Sequence, residues 1–471
     1  MGALERAQSL LERADPDRTL PQCKIKVIDI GPDALLKVGT LAQEVIPDGS
    51  SLGFVVDKNE IFRGTTSAKA EVLRQLTEHF SVKQIILDDG HPELHASEEV
   101  IAKAVEQANG LDAIVSLGGG TITDIGKMTS LGIGCSAHIA IQTAASVDGY
   151  TDDVSVILKS GVKRTVPSRW PDVVIADTTL IAQGPRALNT AGFGEIYSMF
   201  TAPADWRLAS IFGLERNFHW GPIELLQGVG EGIDDWSVGL KSAELYSVER
   251  LVEALAVRGI TTGVAGTTAC LSGIEHLFSH MLDMYHGAHH KPIGQHGSQV
   301  GVGSLAAACI WEFLFEKLDH GTIEYRELNN DEYYREKVKE HFKNLDSDGR
   351  LGDECWSDYS KKISFWRENR EHISLILKDW DTHSPQLKTL IMGSEQIARN
   401  LAVAGSPVSI SELEPSISPE LASWAVAGAH LMRNRFVGTD LLEFLGLWTS
   451  ETLSEIFVRM NKAIEISGGA S

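Results

Sequence analysis

The sequence predicts an α/β N-terminal domain over residues 1–183, built on a mostly parallel doubly wound sheet, followed by an all-α C-terminal domain over residues 184–471. Three observations predict it. Up to Asp177, short β-branched runs alternate with stretches of helical spacing, and that alternation implies right-handed crossovers between parallel strands. One run, Ile114 to Leu117, ends in Gly118-Gly119-Gly120 and continues with helical spacing, as a buried strand feeding a helix N-terminus does. From about Gly184 onward strand signals fade and helical periodicity dominates.

Length and composition agree with this division. At 471 residues the chain exceeds what one hydrophobic core usually serves, and its 43% hydrophobic share is that of a globular protein. No apolar run approaches the ~20 residues that cross a bilayer, and the N-terminus lacks a basic-then-apolar signal pattern. No membrane span and a cytoplasmic location are therefore expected. A formal net charge of -22 repels nucleic acid and anionic membrane surfaces, while leaving room for a local basic pocket. Cys23, Cys135, Cys270, Cys309 and Cys355 are odd in number and widely spaced, with no Cys-x-x-Cys pair, so reduced thiols are expected.

Residues 1–20 read as an amphipathic lead-in helix or a disordered arm. Ile25 to Ile30 is a first strand, Asp33 to Val45 is helical, and Ser51 to Val56 is a second strand closing on Asp57. A helix from Ser67 to His79, a strand from Gln84 to Leu87 and a helix from Glu98 to Ala108 then lead to the glycine turn. Three contiguous glycines remove every side chain there. Backbone N–H groups can then approach a pyrophosphate closely, and the helix dipole favours its charge. No Gly-x-Gly-x-x-Gly follows the strand, so this is not the common dinucleotide fingerprint. Asp57, at a strand's carboxyl end, can accept hydrogen bonds from adenosine ribose hydroxyls and would repel a 2′-phosphate, favouring NAD over NADP; alone, it is equally a turn residue.

The strand His138 to Gln142 ends in Thr143-Ala144-Ala145-Ser146-Val147-Asp148-Gly149, where Thr143 and Ser146 can donate to phosphate or nicotinamide without bulk. Val154 to Leu158 and Lys163 to Val166, joined through Ser160-Gly161, read as a hairpin, and Pro171 to Asp177 as a buried strand. The helical part holds three segments of interest: Gly194-Glu195-Ile196, Glu275-His276-Leu277-Phe278-Ser279-His280, and Gln295-His296-Gly297-Ser298. A carboxylate and two imidazoles from three helices would suit Zn²⁺ or Fe²⁺ with a position open to substrate. Singly, each residue is an ordinary helix side chain. Gly228-Val229-Gly230-Glu231-Gly232 has no strand before it and reads as a turn, while His286, His289 and His290 read as a solvated polar loop.

Gly-Gly-Gly-x-x-x-Asp-x-x-Lys at Gly118 to Lys127 resembles the cofactor loop of the iron-containing alcohol dehydrogenase and dehydroquinate synthase superfamily. Thr143-Ala144-Ala145-Ser146-x-Asp148-Gly149 and Asp205-Trp206-Arg207 narrow the resemblance to the glycerol-1-phosphate dehydrogenase branch, over residues 25–315 and 395–450. The resemblance implies a dehydroquinate synthase-like fold, with Gly118, Gly119, Gly120, Asp124 and Lys127 at the NAD(P) pyrophosphate and Asp57 at the ribose. It implies Glu195, His276 and His296 as metal ligands and Asp148 facing the substrate hydroxyls; His280, one helical turn from His276 on the same face, is then a residue supporting the ligands or a proton relay. The implied metal is Zn²⁺, with Fe²⁺ and Ni²⁺ as alternatives. The implied partner is a small polyol or phosphorylated substrate, in a cleft between the domains of a homo-oligomer, a dimer.

This chain departs from the branch pattern at Glu195, where Asp is usual, at Met199, where Lys is usual, and at Ser298, where Glu is usual. Residues 320–390 look like an insertion. The expected activity is a metal-dependent NAD(P) oxidoreductase interconverting a secondary alcohol and a ketone. Two alternatives share the same residues: a sugar-phosphate cyclase of the dehydroquinate or deoxyinosose synthase type, supported by Glu195, and a non-catalytic nucleotide-binding relative.

Overall fold

The computed structural model describes residues 2–468 apart from Pro92, Ser160, Gly161 and Ser347. The chain forms two compact units, Met1–Phe193 with Trp220–Thr267, and Gly194–His219 with Thr268–Ser471. The strands are β1 (Val27–Gly31), β2 (Ser51–Asp57), β3 (Phe62–Arg63), β4 (Thr66–Ser67), β5 (Ser81–Leu87), β6 (Ala113–Gly118), β7 (Ala137–Gln142), β8 (Val154–Lys159), β9 (Val162–Pro167) and β10 (Val173–Asp177). All belong to the first unit. Its helices are α1 (Ala3–Ala14), α2 (Val38–Val45), α3 (Ala68–Thr77), α4 (Glu98–Ala108), α5 (Gly120–Ile133), α6 (Thr178–Gln183) and the first part of α7 (Arg186–Ile196).

Six of these strands make one parallel sheet in the order β1-β10-β7-β6-β2-β5. Side chains alternate between its faces: Leu52, Phe54 and Val56 join one buried core with Val115 and Leu117, whereas Val55 joins a second core with Ile85 and Ile114. Helices therefore cover both faces. The chain leaves β2 toward β5 and returns on β2's other side as β6, so these neighbouring strands form the topological switch point, where doubly wound sheets bind ligands beyond the strands' carboxyl ends. Asp57 and the glycine turn stand at those ends. β8 and β9 form the antiparallel hairpin expected from the sequence, while its connecting Ser160-Gly161 lies outside the described residues.

The single cut expected after residue 183 is replaced by a discontinuous one. Helices α8 (Ala202–Phe212) and α9 (Trp220–Gly230) fall on opposite sides of the division, and α10 (Ile233–Trp236) and α11 (Leu245–Ala265) belong with the sheet. The reason is packing: α9 and α11 lie against α1, and α11 also against β1 and α6. Gly228 and Gly230 lie within α9, so the stretch expected as a turn is mainly the last turn of a helix, with only Glu231-Gly232 turning, and it is not a nucleotide loop following a strand.

The second unit holds the end of α7, then α8, α12 (Ile274–Ala288), α13 (His296–Leu318), α14 (Asp331–Phe342), α15 (Arg350–Glu368), α16 (Arg370–Lys378), α17 (Trp380–Lys388), α18 (Ser394–Ala404), α19 (Pro419–Gly428), α20 (Gly438–Phe444) and α21 (Ser450–Ile466). Among the described residues it has no strand. α13 corrects the expectation that no apolar run is long enough for a bilayer. It has 23 residues at a mean hydropathy of 1.3 in its most apolar window, but 94% of that window is buried within the protein, as in a core helix. The 320–390 segment contributes α14 to α17. The fully buried ammonium of Lys362 on α15 donates to Asp440 at 2.6 Å and to the carbonyl of His430 at 2.7 Å, tying this segment into the helical core.

Candidate metal centre and cofactor loop

In the first unit, Gly119 is the N-cap of the 14-residue α5, with extended backbone angles. A Cβ placed on Gly118 would collide with Ile122 at 2.6 Å, and one on Gly120 would meet Val147 at 2.8 Å. Those two glycines are demanded by packing. A Cβ on Gly119 would meet nothing within 4 Å, so the helix N-terminus opens there onto free space that a phosphate could fill. The Thr143 amide donates to the Gly118 carbonyl at 3.1 Å, which fixes the second loop beside the first. The buried Tyr150 hydroxyl donates to the Ala144 carbonyl at 3.1 Å, which anchors that second loop.

Lys127 and Asp124, expected at the pyrophosphate, take another place. The Lys127 ammonium has no exposure and donates to Asp152 at 2.6 Å, to the Gly149 carbonyl at 2.8 Å and to the Val154 carbonyl. Asp124 lies 3.5 Å from the same nitrogen. Burial pushes the carboxyls of Asp124 and Asp152 above the usual range, with Lys127 pulling both back. Lys127 thus braces the 149–154 loop with every donor used inside the fold. Asp57 is also occupied: it accepts from Lys69 at 3.1 Å and from the Asn59 side chain at 3.0 Å. An ammonium beside that carboxylate weakens its repulsion of a 2′-phosphate.

Asp148 is held by a residue not anticipated from the sequence. Arg258, fully buried on α11, donates through Nε at 3.2 Å and lies with Nη2 at 3.1 Å from the same carboxylate oxygen. A lone guanidinium in the apolar run Leu255-Ala256-Val257-Arg258-Gly259-Ile260 was the available signal, since such a charge is buried only with a partner.

The second unit brings Glu195, His276 and His296 together. One donor atom from each lies within 4.8 Å of the others. His276 Nε2 is 3.3 Å from Glu195 Oε1, and His296 Nε2 is 3.7 Å from Glu195 Oε2. Ligand atoms about 2.1 Å from a tetrahedral cation lie roughly 3.4 Å apart, so the donor set fits Zn²⁺ or Fe²⁺ in both chemistry and span. His280 is close by, its ring 6.4 Å from that of His276 and 5.9 Å from that of His296. Burial lowers the His276 pKa, but hydrogen bonds and charge from Glu195 and Glu275 outweigh it and raise the value to about 9. The pocket attracts positive charge.

The supports of this cluster were also missed. Glu275 Oε1 accepts from the Gly273 amide at 2.6 Å and faces His276 Nδ1 at 3.1 Å, while Oε2 accepts from the Thr201 hydroxyl at 2.9 Å. Ser279 Oγ is 2.9 Å from His296 Nδ1 and 2.6 Å from Gln299 Oε1. Asp205, of the Asp-Trp-Arg segment, is buried and accepts from the amides of Ile274 at 3.0 Å and Gly438 at 2.9 Å, clamping the starts of α12 and α20. The spacing of Glu275 and Ser279, one helical turn apart, was the signal that both serve one face of α12. His286 lies buried within α12 rather than in a solvated loop, because that helix runs through Ala288.

Residues 29–185 match the family described as iron-containing alcohol dehydrogenase. The chain is 35% identical over 216 residues to the glycerol-1-phosphate dehydrogenase [NAD(P)+] of Aeropyrum pernix, an alignment covering 46% of this chain and 59% of that relative. It is 31% identical over 251 residues to the enzyme of the same name from Pyrococcus horikoshii, covering 53% of this chain and 70% of the relative. The chain thus spans about three-fifths of the first relative's length. In fold it matches the crystal structure of glycerol dehydrogenase from Schizosaccharomyces pombe at a TM-score of 0.61 and 14% identity, over 96% of this chain and 94% of that one. With an α/β unit, an all-α unit and these alignments, the chain belongs to the glycerol-1-phosphate dehydrogenase branch of the iron-containing alcohol dehydrogenase superfamily.

Proposed function

We propose that this protein is a metal-dependent NAD(P) oxidoreductase that interconverts a secondary alcohol and a ketone on a polyol phosphate, with glycerol 1-phosphate the first candidate. The observation that supports it most is the cluster of Glu195, His276 and His296, a donor set with the span of one divalent cation. The names of the relatives supply the substrate class and the NAD(P) cofactor.

When bound, nicotinamide and a divalent cation would supply hydride acceptance and polarisation of the carbinol oxygen. The chain's own residues do the rest. Gly118 to Gly120 and the start of α5 hold the pyrophosphate, with Thr143 and Ser146 donating from the neighbouring loop. Glu195, His276 and His296 hold the cation, Zn²⁺ before Fe²⁺ or Ni²⁺ on the nitrogen content of the site. Asp148, held in place by Arg258, accepts a hydrogen bond from a substrate hydroxyl. His280 takes the hydroxyl proton in oxidation and returns it in reduction.

The test is a screen of purified protein, supplied with Zn²⁺ and either NAD or NADP, against polyols, polyol phosphates and ketose phosphates. Reduced cofactor should accumulate with a polyol phosphate. Glu195 also favours a second reading, a sugar-phosphate cyclase, in which the cofactor is oxidised back within each turnover. Product formation with no net change in reduced cofactor would establish that reading and remove the first.

A further inference from the structure

We propose that Glu275 and the Ser279–Gln299 pair are positioning residues that hold hydrogen on Nδ1 of His276 and His296, leaving the Nε2 of each ring, which faces Glu195, as the nitrogen that binds a cation. The inference rests on the metal-binding reading above. It assigns to three side chains outside the ligand set the task of making that set competent.

The argument is one of hydrogen-bond direction. Ser279 has one hydroxyl proton, and its oxygen lies 2.6 Å from Gln299 Oε1, a carbonyl oxygen that can only accept. The proton goes there. Toward His296 Nδ1, at 2.9 Å, Ser279 Oγ can then only accept, so Nδ1 must carry hydrogen and Nε2 is left with its lone pair. Glu275 holds hydrogen on His276 Nδ1 by a different route. Its carboxylate accepts from the Gly273 amide and the Thr201 hydroxyl, and a carboxylate offers His276 Nδ1 nothing but an acceptor. Both Nε2 atoms face Glu195, at 3.3 and 3.7 Å.

Burial makes these directions hard to reverse. Glu275 and Ser279 are fully buried and Gln299 is 2% exposed, so no solvent competes for their bonds. Gln299 is the decisive member. Turned around, its amide would donate to Ser279, the hydroxyl would donate to His296 Nδ1, and the hydrogen of that ring would move to Nε2, where it blocks a cation.

The test is competition of a chromophoric chelator for Zn²⁺ or Co²⁺ on the folded full-length protein, with thermal unfolding followed in parallel. Gln299→Met and Glu275→Leu should each weaken metal binding by about 10–100-fold, the usual effect of losing an outer-shell partner. Gln299→Glu can only accept at that position, and Glu275→Gln can still present a carbonyl oxygen to His276. Both should bind metal within a fewfold of wild type, a rescue that a merely space-filling role would not produce, because Gln299→Glu adds a buried charge. Ser279→Ala should match Gln299→Met. If Gln299→Glu binds as weakly as Gln299→Met, or if Gln299→Met and Glu275→Leu bind as tightly as wild type, the proposal is overturned. Failure of the wild-type protein itself to bind either metal would instead remove the metal-binding reading.

Discussion

Replacing Gly194 by Ala should cost the protein its metal while leaving most of its fold in place. A Cβ at residue 194 would run into the backbone carbonyl of Gly297 well inside contact distance, and would stand 3.1 Å from that carbonyl's carbon and 3.4 Å from the Gly301 Cα. The obstacles are backbone atoms, so no side chain can swing away. Restoring an ordinary contact requires α7 and α13 to part by on the order of 1 Å. Glu195 rides next to residue 194, and its Oε2 is 3.7 Å from His296 Nε2. Parting by about 1 Å would widen that pair to roughly 4.7 Å, too far for the small adjustment that now brings it to the roughly 3.4 Å span of ligands around one cation. The expected overpacking cost is about 1–3 kcal/mol in stability, and the loss of one ligand should weaken Zn²⁺ binding by at least about 100-fold. Gly287→Ala on α12 is the control, because a Cβ there meets nothing within 4 Å. Chelator competition and thermal unfolding of both variants supply the numbers. Gly194→Ala binding Zn²⁺ with wild-type affinity would refute the argument that close approach of α7 and α13 creates the site.

Three further outcomes follow from the same structure. Gly119→Val should fold normally, since its side chain enters open space, yet weaken NAD(P)H binding measured by cofactor fluorescence by about tenfold or more, equivalent to about 1.4 kcal/mol; unchanged affinity would contradict the phosphate cradle. Lys127→Met leaves Asp152 buried without its counter-charge and should destabilise the first unit by about 3–5 kcal/mol in denaturant unfolding, and an unchanged midpoint would contradict the brace. His341, stacked on Trp424, is held down from 6.5 to about 4 by burial and then by the charge of Lys337. It stays neutral in the fold and protonates more readily once unfolded. Its contribution to stability is full above pH 6.5 and lost as pH falls from there through about 4, so His341→Gln should show a flatter pH dependence across that window than wild type.

Much of the fold was legible because its signals are local. Runs such as Ile114 to Leu117 and Val173 to Ile175 read as buried parallel strands, and the structure pairs them as such through β7. The discontinuous division was not legible. Whether α9 and α11 belong with the sheet is decided by their packing on α1 and β1, distant in sequence, and no local pattern announces it. At the site, the candidate ligands were reached through segments with distinctive neighbours, whereas Glu275 looked like a first-turn helix acid and Gln299 like any polar residue of an apolar helix. Their proposed roles follow from the direction of hydrogen bonds, which only the three-dimensional structure reveals. Lys127 shows the reverse error: a lysine one turn into a phosphate-loop helix suggests an anion ligand, but its ammonium turns inward to Asp152.

The central claim is that one divalent cation held by Glu195, His276 and His296 supports alcohol oxidation on this chain. The most direct test follows reduced cofactor in chelator-treated protein given a polyol phosphate and NAD(P), before and after one equivalent of Zn²⁺ or Fe²⁺. Activity should return in wild type and stay absent in His276→Ala/His296→Ala, which should retain no metal on dialysis. Full turnover by that double variant, free of metal, would contradict the account.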